Sequence, residues 1–145
     1  MVAINSQHLN SLFVLLHRSL LQYLGECSPW TAEDSHQAET LAVIRGIVAK
    51  QKQDETVLAD TLTNAGWVID CGGYSTSFTD LHYVSLKYLL KQVVISQTDI
   101  VKAFEAAAQK YTDSSLLQTV ANNEREILNT ARDLVAPQPA VVAAT

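Results

Sequence analysis

The sequence predicts an all-α protein of four helices, arranged as two antiparallel hairpins that are joined by a longer crossover loop. Three observations favour this class. Four long stretches carry apolar side chains at the three- and four-residue spacing of one helix face. Glycine and proline fall mainly between those stretches. A nine-residue segment, LHRSLLQYL at 16–24, recurs without a gap as LHYVSLKYL at 81–89.

The first hairpin is predicted from two helices. The first helix covers residues 5–25, where apolar positions recur at helical spacing and no proline interrupts them. The second helix is expected to begin at Pro29, because proline suits the first turn of a helix, and residues 31–34 (TAED) provide a cap followed by acids that suit the helix dipole. It is expected to end near Ala65, before Gly66.

The second hairpin follows the glycine-rich stretch after the second helix. The third helix is predicted to have Thr79 or Asp80 as its N-cap and to reach about Lys110. The fourth is predicted to run from Ser114 or Ser115 to about Val135. The second and third helices, of about 30 residues each, would be about 45 Å long. The middle connection of about a dozen residues, fully extended, spans about 40 Å, which allows a crossover.

The totals are typical of one globular domain, which we assign to residues 1–136, with a flexible tail at 137–145. The net charge of −5 and the lack of a Lys/Arg cluster argue against a nucleic-acid partner. No apolar run is long enough to cross a membrane and no signal peptide is evident, so we expect a cytoplasmic protein without a membrane partner. Cys27 and Cys71 are expected to be reduced.

The repeat falls on the first helix of each predicted hairpin, which indicates that one helical hairpin is used twice. The partner helices add some support, because DETVL at 54–58 can be aligned with EREIL at 124–128. The alternative is that leucine-rich amphipathic helices resemble one another by chance.

Two hairpins with a long middle connection, and with acids facing inward halfway along, resemble the ferritin-like superfamily over residues 5–135. Its metal-binding members hold two ions with a Glu from helices one and three and a Glu-x-x-His pair from helices two and four. No Glu-x-x-His occurs in this chain, since Val57 and Ile127 stand three residues after Asp54 and Glu124. Without both imidazoles, the resemblance implies a ferritin-like scaffold with a degenerate metal site.

The candidate site consists of polar residues within the apolar stripes. Gln51 and Glu55 lie on or beside the buried face of the second helix, with Asp54 at its edge. Gln97 and Glu124 interrupt the stripes of the third and fourth helices. The layer expected halfway along the bundle consists of His17, Gln51, Glu55, Gln97 and Glu124.

That layer has two interpretations. It is a hydrogen-bonded network that fixes helix register, or it is an irregular metal site with His17, Glu55 and Glu124 as ligands. His82 matches His17 in the repeat and is a further candidate, with Gln51, Asp54 and Gln97, for the polar layer or for ligand contact. Each histidine also has a plain structural alternative, at the edge of the core or facing water.

These observations leave three functional hypotheses, and no catalytic motif favours an enzyme. The first is a non-catalytic ferritin-like bundle that acts as a binding or assembly module, without a cofactor and as a homodimer. The second is a metal-binding oxidoreductase or metal carrier that holds Fe, Mn or Zn through the unconventional His/carboxylate set. The third, ranked last, is a DinB-like bundle, which the segment 16–24 resembles but which requires inward histidines on later helices.

Overall fold

The computed structural model describes residues 4–27, 35–81 and 84–136. Within these ranges the chain is all-helical and contains no strand, which confirms the predicted class. Its elements are five α-helices and a 3₁₀ helix: α1 (Ser6–His17), α2 (Leu20–Glu26), α3 (Ser35–Asn64), the 3₁₀ helix Thr76–Leu81, α4 (Leu86–Lys110) and α5 (Ser115–Val135). The predicted tail 137–145 and the predicted start of the second helix at 29–34 lie outside the described residues.

The first predicted helix is in fact two helices, so the continuous helix over 5–25 is wrong. Arg18 and Ser19 separate α1 from α2. Ser19 has an extended backbone, with φ −70° and ψ 161°, and its side chain accepts a hydrogen bond from the backbone N–H of Gln22. A serine in this conformation caps a new helix, so the chain restarts instead of continuing. Apolar spacing alone does not reveal such a restart.

The start of the third predicted helix also differs. Ser85, not Thr79 or Asp80, caps α4, and its hydroxyl accepts from the backbone N–H of Tyr88. Thr79 and Asp80 instead belong to the 3₁₀ helix. The last helix is confirmed, with Ser114 as the N-cap of α5.

Two apolar clusters define the directions of the helices. The first cluster includes α1, the end of α3, the end of α4 and the start of α5, through residues such as Leu9, Leu62, Phe104 and Leu117. The second cluster includes α2, the first half of α3, the start of α4 and the end of α5, through residues such as Leu21, Ile44, Leu89 and Ile127. Hence α3 and α4 run in the same direction, whereas α5, and α1 and α2 taken together, lead from the first cluster to the second in the opposite direction.

The linker between α3 and α4 therefore returns from the first cluster to the second. Trp67 and Ile69 pack on the first cluster, whereas Tyr74, Phe78 and Leu81 pack on the second. The linker thus contacts both clusters along its length.

Two polar contacts and one glycine hold the linker against α1. Asn10 makes a reciprocal pair with Asp70, donating to its carbonyl at 3.0 Å and accepting from its N–H at 2.9 Å. Arg18 Nε donates to the carbonyl of Cys71 at 3.1 Å. Gly72 has φ +62°, and a Cβ there would lie 2.9 Å from Val14 Cγ1. The linker is thus fixed to α1 by side chains and by close backbone approach.

The two repeat segments do not take equivalent positions. The first covers the end of α1 and most of α2, whereas the second covers the end of the 3₁₀ helix and the start of α4. Tyr23 is 8 % exposed, and the aligned Tyr88 is 48 % exposed. The two copies of the repeat therefore lie at different places in their helices and differ in burial. This difference does not support the interpretation that one hairpin is used twice.

Among the described residues, no helix combines the length and apolar character needed to cross a membrane. Cys27 and Cys71 are both free thiols.

Candidate functional site

Five buried polar side chains form a layer between the two apolar clusters. We define this polar layer as Ser19, Gln22, Gln51, Gln97 and Glu124, none of which is more than 6 % exposed. They come from α2 and its N-cap, from α3, from α4 and from α5. The layer therefore connects four helices at a depth where an unpaired polar group would be costly.

Gln51 is the centre of the polar layer and uses all of its hydrogen-bonding capacity. Its Oε1 accepts from Ser19 Oγ at 2.7 Å and from Gln22 Nε2 at 3.1 Å. Its Nε2 donates to Gln97 Oε1 at 3.1 Å and to Glu124 Oε1 at 2.8 Å. One fully buried amide thus connects α3 to three other helices.

The break between α1 and α2 positions part of this network. Because Ser19 is an N-cap, its hydroxyl lies at the start of α2, where it accepts from Gln22 N–H and also donates to Gln51. Gln22 Nε2 further donates to the backbone carbonyl of Val48 at 3.0 Å. The break between α1 and α2 therefore also places two donors, Ser19 Oγ and Gln22 Nε2, beside Gln51.

Glu124 receives hydrogen bonds on only one of its two carboxyl oxygens. Gln51 and Gln97 both donate to Oε1, and Gln97 Nε2 also donates to the backbone carbonyl of Glu124 at 3.2 Å. Burial raises the pKa of Glu124 to about 8, a nearby Asp54 carboxyl also raises it, and the two amide donors oppose that rise. The Glu124 carboxyl group therefore keeps its proton to a higher pH than an exposed glutamate does.

Asp54 lies next to Glu124 across the contact between α3 and α5. It is 4 % exposed, and its Oδ1 accepts from Asn123 Nδ2 at 2.9 Å. Its other oxygen, Oδ2, is buried without a hydrogen-bond partner, and so is Oε2 of Glu124. Two carboxyl groups thus meet here, each with one oxygen still unsatisfied.

His17 and Glu55 form a separate pair on one side of the polar layer. His17 Nδ1 and Glu55 Oε1 are in direct contact, with side-chain exposures of 27 % and 8 %. The ring of Phe13 stacks on His17, with centroids 5.1 Å apart. Glu55 Oε2 is buried and unpartnered. His17 therefore contacts a carboxyl group at the edge of the core, apart from the hydrogen bonds that join Gln51, Gln97 and Glu124.

The residues predicted as metal ligands are thus divided between two places. His17 and Glu55 pair with each other, and Glu124 lies among the amides of the polar layer. In the described ranges, no three His, Cys, Asp or Glu side chains form a group that could hold a metal ion. A ligand role for His17, Glu55 and Glu124 remains a prediction from the sequence. His82 lies outside the described residues.

The sequence placed Gln51, Gln97 and Glu124 in one layer, and the structure brings them together. It missed Ser19 and Gln22, although Gln22 is a polar residue inside the apolar run LLQYL at 20–24. A single polar residue within an apolar run, such as Gln22, is the signal that could have indicated a buried amide. Asn123, the partner of Asp54, has no comparable signal, because it stands at the edge of its helix stripe.

Comparison of the chain with models of known protein families, with curated proteins and with solved structures gives no match.

Proposed function

We propose that the chain is a non-catalytic helical bundle of the ferritin-like kind, that it acts as a binding or assembly module, and that its polar layer fixes the helices in place of a metal centre. One observation carries this proposal. Gln51 and Gln97 both donate to Glu124 Oε1, at 2.8 and 2.9 Å. In metal-binding bundles, the ligands from facing helices meet in the interior. Here, amides that are hydrogen-bonded to Glu124 occupy the interior instead.

The helix directions support the ferritin-like part of the proposal. Counting α1 and α2 as one interrupted helix gives four long elements. The first is antiparallel to α3, and α4 is antiparallel to α5, while α3 and α4 are parallel. The linker accounts for this order by returning along the first helix. Two hairpins joined by one long crossover are the order expected in ferritin-like bundles.

The donor chemistry supports a site without a metal. A metal site needs lone pairs that point at one position, but the N–H groups of two amides occupy the lone pairs of Glu124 Oε1, which leaves only Oε2 without a partner. Among the described residues, no three His, Cys, Asp or Glu side chains group around one position. The residue three positions after Glu124 is Ile127, which is fully buried in the second apolar cluster. Val57, three positions after Asp54, is 45 % exposed and so lies away from the interior.

Exposed apolar side chains support the assembly part. Leu15 on α1 is 42 % exposed and Ile95 on α4 is 56 % exposed. Leu15 lines a surface groove between α1, the linker and α4, and Ile95 lies one helical turn before Asp99 of the same groove. Arg18 and Asp99 also line it, so the face combines apolar contact with opposite charges. We assign the contact of a symmetric homodimer to this face, since two-fold dimers are the commonest oligomers.

Sedimentation equilibrium tests the assembly part. The expected mass is twice the 15.9 kDa of one chain. Leu15→Glu and Ile95→Glu should each shift the protein towards the monomer, because each buries a charge at the contact. Val68→Glu is the matched control, since Val68 is 93 % exposed on the linker, and it should leave the mass unchanged. A monomeric wild-type protein would contradict the dimer.

Metal analysis tests the non-catalytic part. Protein loaded anaerobically with Fe(II), Mn(II) or Zn(II) should retain well below one ion per chain by plasma mass spectrometry. The control is the double variant His17→Ala/Glu124→Ala under the same loading. Near-stoichiometric metal in the wild type that the double variant loses would instead favour the metal-binding oxidoreductase or carrier.

A further inference from the structure

The contact between Asp54 and Glu124 contains an unbalanced set of hydrogen-bonding groups. Asp54 is 4 % exposed and Glu124 is fully buried. Asp54 Oδ1 accepts a hydrogen bond from Asn123. Glu124 Oε1 accepts from the amides of Gln51 and Gln97. The remaining oxygens, Asp54 Oδ2 and Glu124 Oε2, are buried acceptors without a donor. As two carboxylates, the residues would place like charges side by side in a medium of low dielectric constant.

One proton resolves both problems. A carboxylic acid has an O–H that donates, whereas a carboxylate only accepts. With a proton on either residue, one unsatisfied oxygen becomes a donor and the other stays an acceptor, which is the combination that an O–H···O⁻ hydrogen bond of the strong charge-assisted class requires. The proton also removes one of the two adjacent negative charges. Two orphaned acceptors then become one donor–acceptor pair.

We propose that Asp54 and Glu124 share a single proton, so that Glu124 Oε2 donates to Asp54 Oδ2 and the contact between α3 and α5 is a proton-binding site. Glu124 is assigned as the donor because it is the more deeply buried of the two. The raised pKa of Glu124 agrees with that assignment. This role does not depend on the proposed assembly function.

The groups around Asp54 and Glu124 favour a proton, rather than a positively charged side chain or a metal cation, as the partner of the two carboxyl groups. On the α4 side the facing group is the amide of Gln97, and on α3 and α5 they are the amides of Gln51 and Asn123. The histidine of α1 is engaged by Glu55 on another side of α3. The charged pair Lys50–Glu126, which also joins α3 to α5, has side chains that are 55 % and 64 % exposed, so solvent screens it.

Infrared spectroscopy detects the shared proton directly. The wild-type protein at pH 6 should show the C=O band of a protonated carboxylic acid, which is separate from carboxylate bands. Labelling glutamate with ¹³C at the carboxyl carbon should shift that band, which assigns the proton to a Glu without any substitution. No acid band at pH 6, or a band that labelled glutamate leaves in place, would overturn the assignment to Glu124.

Two substitutions test the hydrogen bond itself. Glu124→Gln keeps the shape, lets the carbonyl oxygen accept from Gln51 and Gln97, and gives Asp54 Oδ2 a permanent N–H donor. It should remove the acid band and keep the urea midpoint of the wild type at pH 7. Glu126→Gln, on the exposed side of the same helix, should keep the band. Loss of the band in both variants, or its persistence in Glu124→Gln, contradicts the proposal.

A metal cation is the alternative occupant of the contact between Asp54 and Glu124. Infrared spectra of the wild-type protein with Mn(II) distinguish it from a proton. Protein equilibrated with Mn(II) at pH 7 should keep the acid band and bind no ion at this contact. Stoichiometric Mn(II) that abolishes the band in the wild type, and that Glu124→Gln no longer binds, would overturn the shared proton.

Discussion

Gln51 Nε2 lies 2.8 Å from Glu124 Oε1, so a fully buried amide on α3 joins a fully buried carboxyl group on α5. This bond connects α3 and α5 within the polar layer. Every acceptor and donor of Gln51 is used, and its partners come from the N-cap of α2, from α2, from α4 and from α5. The stability of the fold should therefore depend strongly on this one amide.

Replacing Gln51 with alanine should lower the free energy of unfolding by about 3 kcal/mol or more. The change leaves a cavity and removes the partners of the Ser19 hydroxyl donor and of Gln97 Oε1, and such buried groups cost about 1–3 kcal/mol each when unsatisfied. Gln22 Nε2 and Glu124 Oε1 each lose one of two partners. Urea denaturation measures the effect. The control is Gln53→Ala, because Gln53 is exposed on the same helix, and its effect should be within about 0.5 kcal/mol. Equal effects of the two variants would show that the layer carries no special stability.

Stability should fall as the pH rises from about 4.5 to about 8. The folded-state pKa of Glu124 is raised to about 8 from its ordinary 4.5, so the folded protein binds this proton more tightly than the unfolded chain does. The resulting stability is fully present below about pH 4.5 and is lost as the pH approaches the folded-state pKa. The slope is at most about 1.4 kcal/mol per pH unit.

Urea denaturation at several pH values measures this slope, and Glu124→Gln provides the comparison. The variant cannot titrate at position 124, so the difference in unfolding free energy between it and the wild type isolates the one group. That difference should grow in favour of the variant towards pH 8. A difference that is constant with pH would show that Glu124 has an ordinary pKa.

Gly72→Ala should destabilise the protein by about 1–2 kcal/mol. Its φ of +62° is unfavourable for a residue with a Cβ, and that Cβ would lie 2.9 Å from Val14 Cγ1. Gly73→Ala is the natural control, because a Cβ there meets nothing within 4 Å, and it should be neutral or slightly stabilising. Thermal unfolding of both variants tests the packing of the linker on α1. Similar melting temperatures for the two would argue against it.

Asn10→Ala should release the first part of the linker from α1. The amide of Asp70 loses its acceptor and its carbonyl loses a donor, at a cost of about 1 kcal/mol. Hydrogen exchange should show faster exchange at the Asp70 amide, with little change within α5. The exposed Asn122 supplies the control variant Asn122→Ala. Unchanged protection at Asp70 would mean that the Asn10 pair does not hold the linker.

The sequence predicted the helices best where periodicity and caps agree. In α5, the apolar stripe and Ser114 point to the same start, and the prediction is confirmed. The break at Ser19 was missed because the apolar spacing continues through it, and only the backbone conformation of Ser19 distinguishes a cap from a mid-helix serine. At α4, Thr79 and Asp80 are good cap residues, but they lie in the 3₁₀ helix and Ser85 is the cap.

The polar layer was predictable in membership and not in pairing. Spacing assigns Gln51, Gln97 and Glu124 to buried faces, since each interrupts an apolar stripe. It does not give their heights relative to the neighbouring helices, so the pairing of His17 with Glu55, away from Glu124, could not be derived. The approach of Asp54 to Glu124 depends in the same way on how α3 and α5 pack.

The arrangement of the polar layer has a consequence for the order of folding. Residues 51 and 124 are 73 positions apart in the sequence. Because closing so long a loop costs entropy, we expect the contact between α3 and α5 to form after contacts that are nearer in sequence. A meeting that is displaced by one helical turn would bury the Gln51 amide against apolar side chains, at the cost of its unsatisfied donors and acceptors. The polar layer therefore destabilises compact but misaligned packings of the helices, which an all-apolar interior would tolerate.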